Sequence, residues 1–164
     1  MEGTIGTDRF YVMALEDFND IRGYSWYVSA EGNLDKLVNP LSNDFGQGRA
    51  NTIAMIANWN KGENGGYGAQ LDGDIWGVIQ TAVGDINDPT WFVPSKSEWA
   101  AFGNFAFIYM GTDSRDYMMN DVYWSSTQGE TSEGVSYVYT AYMGGRINYL
   151  SVSQGCYVRL SATF

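Results

Sequence analysis

The chain contains no histidine and only one cysteine, and these two shortages exclude a large share of protein chemistry. Without histidine it lacks the commonest general base near neutral pH and the commonest metal ligand. The lone Cys156 excludes an internal disulfide and any zinc site built on cysteines. Basic residues are also few, 9 against 19 acidic, giving a net charge of −10 with no Lys/Arg stripe. A phosphate backbone would be repelled, so no nucleic-acid partner is expected. The acidic residues are scattered and read as solubility. No apolar run approaches the ~20 residues of a membrane helix, so no membrane insertion is expected. The opening MEGTIGTDRF has neither a basic n-region nor an apolar h-region, and no signal peptide is read there.

Aromatic residues are abundant. They make up 16% of the 164 residues within a hydrophobic total of 45%, enough for one domain over residues 1–164 to form a core without staples. The segment Asp121–Tyr157 holds six Tyr, six Ser and five Gly in 37 residues, with only Asp121, Glu130, Glu133 and Arg146 charged. Tyr gives large amphipathic contact area at low entropy cost, and Ser and Gly give adaptable hydrogen bonding around it. This vocabulary suits recognition better than catalysis.

The pattern along the chain predicts an α+β fold. Strands are expected at Arg9–Leu15 and Tyr24–Ser29, with irregular chain over Glu31–Arg49. A helix is expected at Asn51–Asn60, capped by Asn51, with Ile53, Ile56, Ala57 and Asn60 on one face. Lys61–Gly68 breaks it, and Asp74–Val83 reads as a short second helix capped by Asp74. Trp91–Pro94 is a buried strand leading into Ser95-Lys-Ser-Glu98, a capping box for a helix that fades near Gly103. Asn104–Asn120 reads as an excursion. Four strands then follow: Val122–Thr127, Val135–Met143, Arg146–Ser153 and Cys156–Ala162. Gly144-Gly145 fits a two-residue hairpin turn, and Gln154-Gly155 fits a turn into the last strand, giving an antiparallel meander packed on two main helices. Cys156 falls in that last alternating strand as a buried inert thiol. The tryptophans are expected in the core.

The remaining acidic and glycine-rich clusters do not fit a metal, phosphate or glycosidase site. Asp72/Asp74 and Asp85/Asn87/Asp88 do not match an EF-hand spacing and read as turn and capping residues. Gly62–Gly68 (GENGGYG) has no following Lys-Ser/Thr and ends a helix where a phosphate loop begins one. No carboxylate pair is placed as a glycosidase requires.

Three blocks in order, WFVPSKSEWAAF (Trp91–Phe102), VYWSST (Val122–Thr127) and QGCYVRLSATF (Gln154–Phe164), resemble the bacterial and phage branch of the C-type lectin fold. That branch includes formylglycine-generating-enzyme-like domains and the variable proteins of diversity-generating retroelements. The resemblance implies a C-type-lectin-like fold. In the variable proteins the diversified stretch resembles the residues between Trp124 and Gly155–Leu160. The implied function is ligand recognition, with a protein or glycan on another cell or particle as partner, no cofactor, and a cell-surface or phage-particle location within a larger assembly. A non-diversified adhesin or carbohydrate-binding module is the alternative. The chain departs from two other relatives. Cys156 alone does not supply the cysteine pair of sulfatase-activating enzymes, so catalysis is not expected. Pro40, Pro89 and Pro94 do not stand in the Glu-Pro-Asn or Gln-Pro-Asp motifs of calcium-dependent lectins, so no metal is expected.

Tyr137, Tyr139, Tyr142 and Arg146 are the first candidates for ligand contact, since Tyr and Arg are enriched at interface hot spots. Asn148 is expected to face outward with Arg146, and Ser125, Thr127, Gln128 and Glu130 to form an adjacent rim. For each tyrosine the competing assignment is plain core packing, and strand register decides between the two.

Overall fold

Alternating β-branched and aromatic residues in the C-terminal third, and helical runs before it, fold into three helices and two small antiparallel sheets among the described residues. The computed structural model describes residues 11–18, 23–32, 44–62, 68–110, 121–142 and 146–164, with backbone alone at 105–110. In chain order the elements are β1 (Tyr11–Met13), α1 (Gly48–Trp59), α2 (Ile75–Val78), β2 (Trp91–Phe92), α3 (Lys96–Met110), β3 (Tyr123–Ser132), β4 (Val135–Tyr142), β5 (Arg146–Ser151) and β6 (Ser161–Thr163). One sheet has the order β1-β6-β2 and the other β3-β4-β5. The class is therefore α+β. No helix among the described residues is long and apolar enough to cross a membrane.

Several elements differ from expectation for identifiable reasons. α1 begins three residues before Asn51, which lies inside the helix. Its buried face is Gly48, Asn51, Thr52, Met55, Ile56 and Asn58, while Ala57 and Asn60 are exposed. Three buried polar residues, Asn51, Thr52 and Asn58, disguise that stripe. Thr52 Oγ1 is satisfied internally, donating to Gly48 O at 2.8 Å and accepting from Val93 N at 3.0 Å. Tyr24–Ser29 makes only isolated bridges and a 3-10 turn at Val28–Ala30. α3 continues past Gly103 to Met110, and the remainder of the expected excursion, 111–120, lies outside the described residues.

The largest revision concerns the strands. β3 runs on to Ser132 and meets β4 through a two-residue turn, Glu133-Gly134, where both residues have positive φ (51° and 81°). A type I′ turn demands that backbone, and Gly134 supplies half of it without strain. The Gly144-Gly145 turn lies outside the described residues. After β5 the chain leaves its sheet, and β6 becomes the central strand of the other one, pairing with β1 and β2. The meander is thus three strands, and Cys156–Leu160 is a buried crossover between sheets.

The core follows from the aromatics. Trp26, Trp76, Trp99 and Trp124 are fully buried, and Trp26 meets Trp76 edge-on at 5.2 Å. α1, α2 and the inward face of β3-β4-β5 enclose the main cluster, with Cys156 inside it and its thiol pKa pushed up to about 12 by burial. A second cluster, Trp99, Tyr123 and Ala141, joins α3 to the opposite face of the same sheet.

Candidate functional site

Trp124-Ser125-Ser126-Thr127 forms the anchor of the candidate surface. Trp124 pairs with Thr140 and Gln128 with Val138, so four steps along β3 match two along β4. The surplus is absorbed by a bulge through Ser125–Thr127. Several polar groups there bond to other parts of the frame. Ser125 Oγ donates to Tyr139 O at 2.6 Å, and Ser125 O accepts from Trp26 Nε1 at 3.0 Å. Ser126 N donates to Pro94 O at 2.8 Å, and Thr127 Oγ1 accepts from Lys96 N at 3.0 Å, at the start of α3. Ser125 and Thr127 are fully buried, so they do not form the exposed rim expected of them. Their hydroxyls close the bulge, and small polar residues serve that purpose as readily as they serve a surface.

Register then sorts the remaining candidates. In β4–β5, Tyr142 stands opposite Arg146, Thr140 opposite Asn148, Tyr139 opposite Tyr149 and Tyr137 opposite Ser151. Opposite residues of an antiparallel pair share a face. Tyr137, Tyr139 and Tyr149 therefore occupy one face, and Tyr142, Arg146 and Asn148 the other. A two-residue turn at Gly144-Gly145 would set Met143 opposite Arg146 and join Tyr137 and Tyr139 to Arg146 and Asn148. The actual register is shifted by one residue, which exchanges every side chain between faces. Strand alternation already sets Tyr142 on the other face of β4 from Tyr137 and Tyr139, and this register places Arg146 and Asn148 with Tyr142.

The tyrosine face is the larger feature. Tyr149 is 58% exposed, the more exposed partner of an edge-to-face pair with half-buried Tyr137 (centroids 5.5 Å apart, 86° between planes). Lys96 Nζ lies 4.0 Å above the half-buried Tyr139 ring, a cation–π contact from the first turn of α3. Farther along this face Ala141 and Ile147 pass beneath Trp99. On the other face Val138 enters the core, while Tyr142 (45% exposed), Arg146 and Asn148 emerge at its end. Glu130 is exposed and Gln128 half-buried near the β3–β4 turn. Tyr149 and Lys96 are contributors that sequence reading missed. Tyr149 was legible as one more Tyr on an outer strand, whereas Lys96 is 43 residues from Tyr139 and carries no local signal.

Three aspartates elsewhere are held by structural partners. The buried Asp74 carboxylate accepts from Val28 N at 3.0 Å, Trp59 Nε1 at 3.0 Å and Leu71 N at 3.2 Å, so it ties three segments together and makes no side-chain cap on α2. Asp85 Oδ1 accepts from Asn87 N at 2.9 Å in a local turn. Asp17 receives Arg159 Nε at 2.7 Å and the Tyr123 hydroxyl at 3.1 Å, beside an open cavity of about 240 Å³ lined chiefly by Ala14, Phe18, Trp91 and Leu160. Burial pushes the Tyr123 phenol well above its ordinary range, so it stays a proton donor to Asp17. Compared with protein-family models, with curated proteins and with solved structures, the chain matches none.

Proposed function

We propose that the chain is a ligand-recognition domain with a C-type-lectin-like fold, of the bacterial and phage branch that its three sequence blocks resemble. The observation that carries this reading is the pair of exposed Tyr149 and half-buried Tyr137, extended by Tyr139 and Lys96, on a sheet whose bulge is buried and whose opposite face enters the core at Val138. A preorganised aromatic patch loses little entropy on binding and gains large contact area. The way the three blocks interlock supports the fold assignment. Pro94 receives Ser126 N, Trp124 N donates to Tyr157 O, and Trp91 pairs with Ala162. Such a frame holds the patch still while the residues on it differ.

The partner in this proposal is a protein or glycan on another cell or particle, and the domain sits on a cell surface or phage particle within a larger assembly. The test is to offer the multimerised domain to arrays of glycans and bacterial surface proteins. Binding is expected and is abolished in a Y137A/Y149A double variant whose denaturant midpoint stays close to wild type. A folded double variant that keeps the wild-type pattern contradicts the proposal.

Retroelement diversification of that patch makes a separate genomic prediction. Near-copies of the 3′ coding segment, beside a reverse transcriptase, differ at adenines in the codons of Tyr137, Tyr139, Tyr142, Asn148 and Tyr149. Differences equally frequent at the buried Ser125, Thr127 and Thr140 contradict it. Absence of any such copy favours the non-diversified adhesin or carbohydrate-binding module.

A further inference from the structure

β5 is the outer strand of its sheet, and its backbone phase is fixed. Val152 N donates to Ser136 O at 2.9 Å, which makes residues 152, 150, 148 and 146 the ones bonded to β4. In an antiparallel ladder the intervening residues direct both N–H and C=O the other way. Ile147, Tyr149 and Ser151 therefore face outward. Among the described residues nothing pairs with that edge except Gln154 N, which donates to Ser151 O at 3.0 Å. Natural edge strands are commonly blunted by Lys, Pro, a bulge or a cover. β5, RINYLS, carries no Lys, Pro or bulge, and its only charge is Arg146 at the first position.

We propose that β5 pairs antiparallel with β5 of a second copy of this chain, about a two-fold axis through Tyr149. Three independent features of this edge fit that occupant. Placing the axis at the central outward-facing residue keeps each face continuous and sets Tyr149 against the partner's Tyr149 and Ile147 against the partner's Ser151. The two Tyr149 residues then exchange both backbone bonds, and each Ser151 N–H reaches an Ile147 carbonyl across the interface. Charge is self-complementary as well. The Glu31 carboxylate accepts from Ser136 N and Ser151 Oγ, each at 2.9 Å, and so lies at the far end of β5 from Arg146. Antiparallel pairing brings Arg146 of each copy to the Glu31 end of the other, as a two-fold interface requires. Finally, the two Tyr137–Tyr149 pairs join into one strip of four rings on a single face.

A six-residue edge is ~20 Å long, a small interface, so the dimer is concentration-dependent. The inference stands on the sheet edge and does not depend on the recognition reading.

Sedimentation of the intact chain over a concentration series is the test. The mass is expected to rise from 18.2 kDa toward twice that value. Arg146→Glu, at an exposed position, is expected to weaken association about tenfold or more by setting like charges together. Tyr149→Pro removes the central outward N–H while sparing the β4 ladder, and is expected to abolish the dimer. Register is read by mild oxidation, with the native Cys156 buried. Tyr149→Cys crosslinks, because the paired Cα atoms stand ~5.5 Å apart, within disulfide range. Asn148→Cys does not, because its copies are offset along the strand. A chain that stays monomeric to millimolar concentration overturns the proposal, even if it captures a foreign extended peptide at β5. So does a dimer that R146E leaves intact, or crosslinking as efficient at 148 as at 149.

Discussion

Glu98 lies fully buried where two helices begin. Its Oε2 accepts from Ser95 N at 2.6 Å, and the Gly48 and Gly46 amides at the start of α1 also bond to the carboxylate. Gly48 permits this approach, since a Cβ there would collide with Oε2 and with Val93 O. Oε1 has no partner. Burial raises the Glu98 pKa above the usual carboxylate range, and the hydrogen bonds offset only part of that shift. A carboxyl whose folded pKa exceeds its unfolded one binds its proton more tightly when native. Its stabilising contribution is complete below the unfolded pKa and is lost as pH rises through the folded pKa. The stability difference between wild type and E98Q should therefore shift in favour of wild type as pH falls from neutral toward the ordinary Glu range. Denaturant titrations of both proteins at several pH values measure it, and a difference constant with pH contradicts this account. The capping-box half of this residue's role was legible, because Ser95 and Glu98 are three apart. The half that closes α1 was not, because Gly48 is fifty residues away and a lone Gly in a Gly-rich stretch carries no distinguishing mark.

At the level of elements, the bulge at Ser125–Thr127 links β3, β4 and the start of α3. Ser125 Oγ both donates to Tyr139 O and accepts from Thr127 N at 3.2 Å. S125A strands these two groups in a dry site, and the expected loss is about 1–3 kcal/mol in chemical denaturation. A loss below ~0.5 kcal/mol, typical of an open surface site, would return Ser125 to the rim. The three strands of the β3-β4-β5 sheet were readable from alternation, and the α+β class with them, whereas Tyr24–Ser29 reads as a strand and makes only isolated bridges. Their pairing was not. Gly144-Gly145 suggests a two-residue turn, yet Tyr142 stands opposite Arg146, and that single step decides which tyrosines share a face. The buried run Cys156–Leu160 has the same apolar character as a strand continuing the meander. Only the tertiary competition for β1 and β2 carries the chain into the other sheet.

For the whole molecule, the C-terminal third divides into two sets of residues. Trp124, Ser125, Thr127, Val138 and Thr140 are buried, while Tyr137, Tyr139, Tyr142, Arg146, Asn148 and Tyr149 are partly or largely exposed. The central claim is that the second set can change without unfolding the first. Two display libraries test it in one measurement, one randomised at the exposed set and one at the buried set, each scored as the fraction of clones that resist protease. The account predicts that most exposed-set clones match the parent while few buried-set clones do. Equal losses from the two libraries would contradict it.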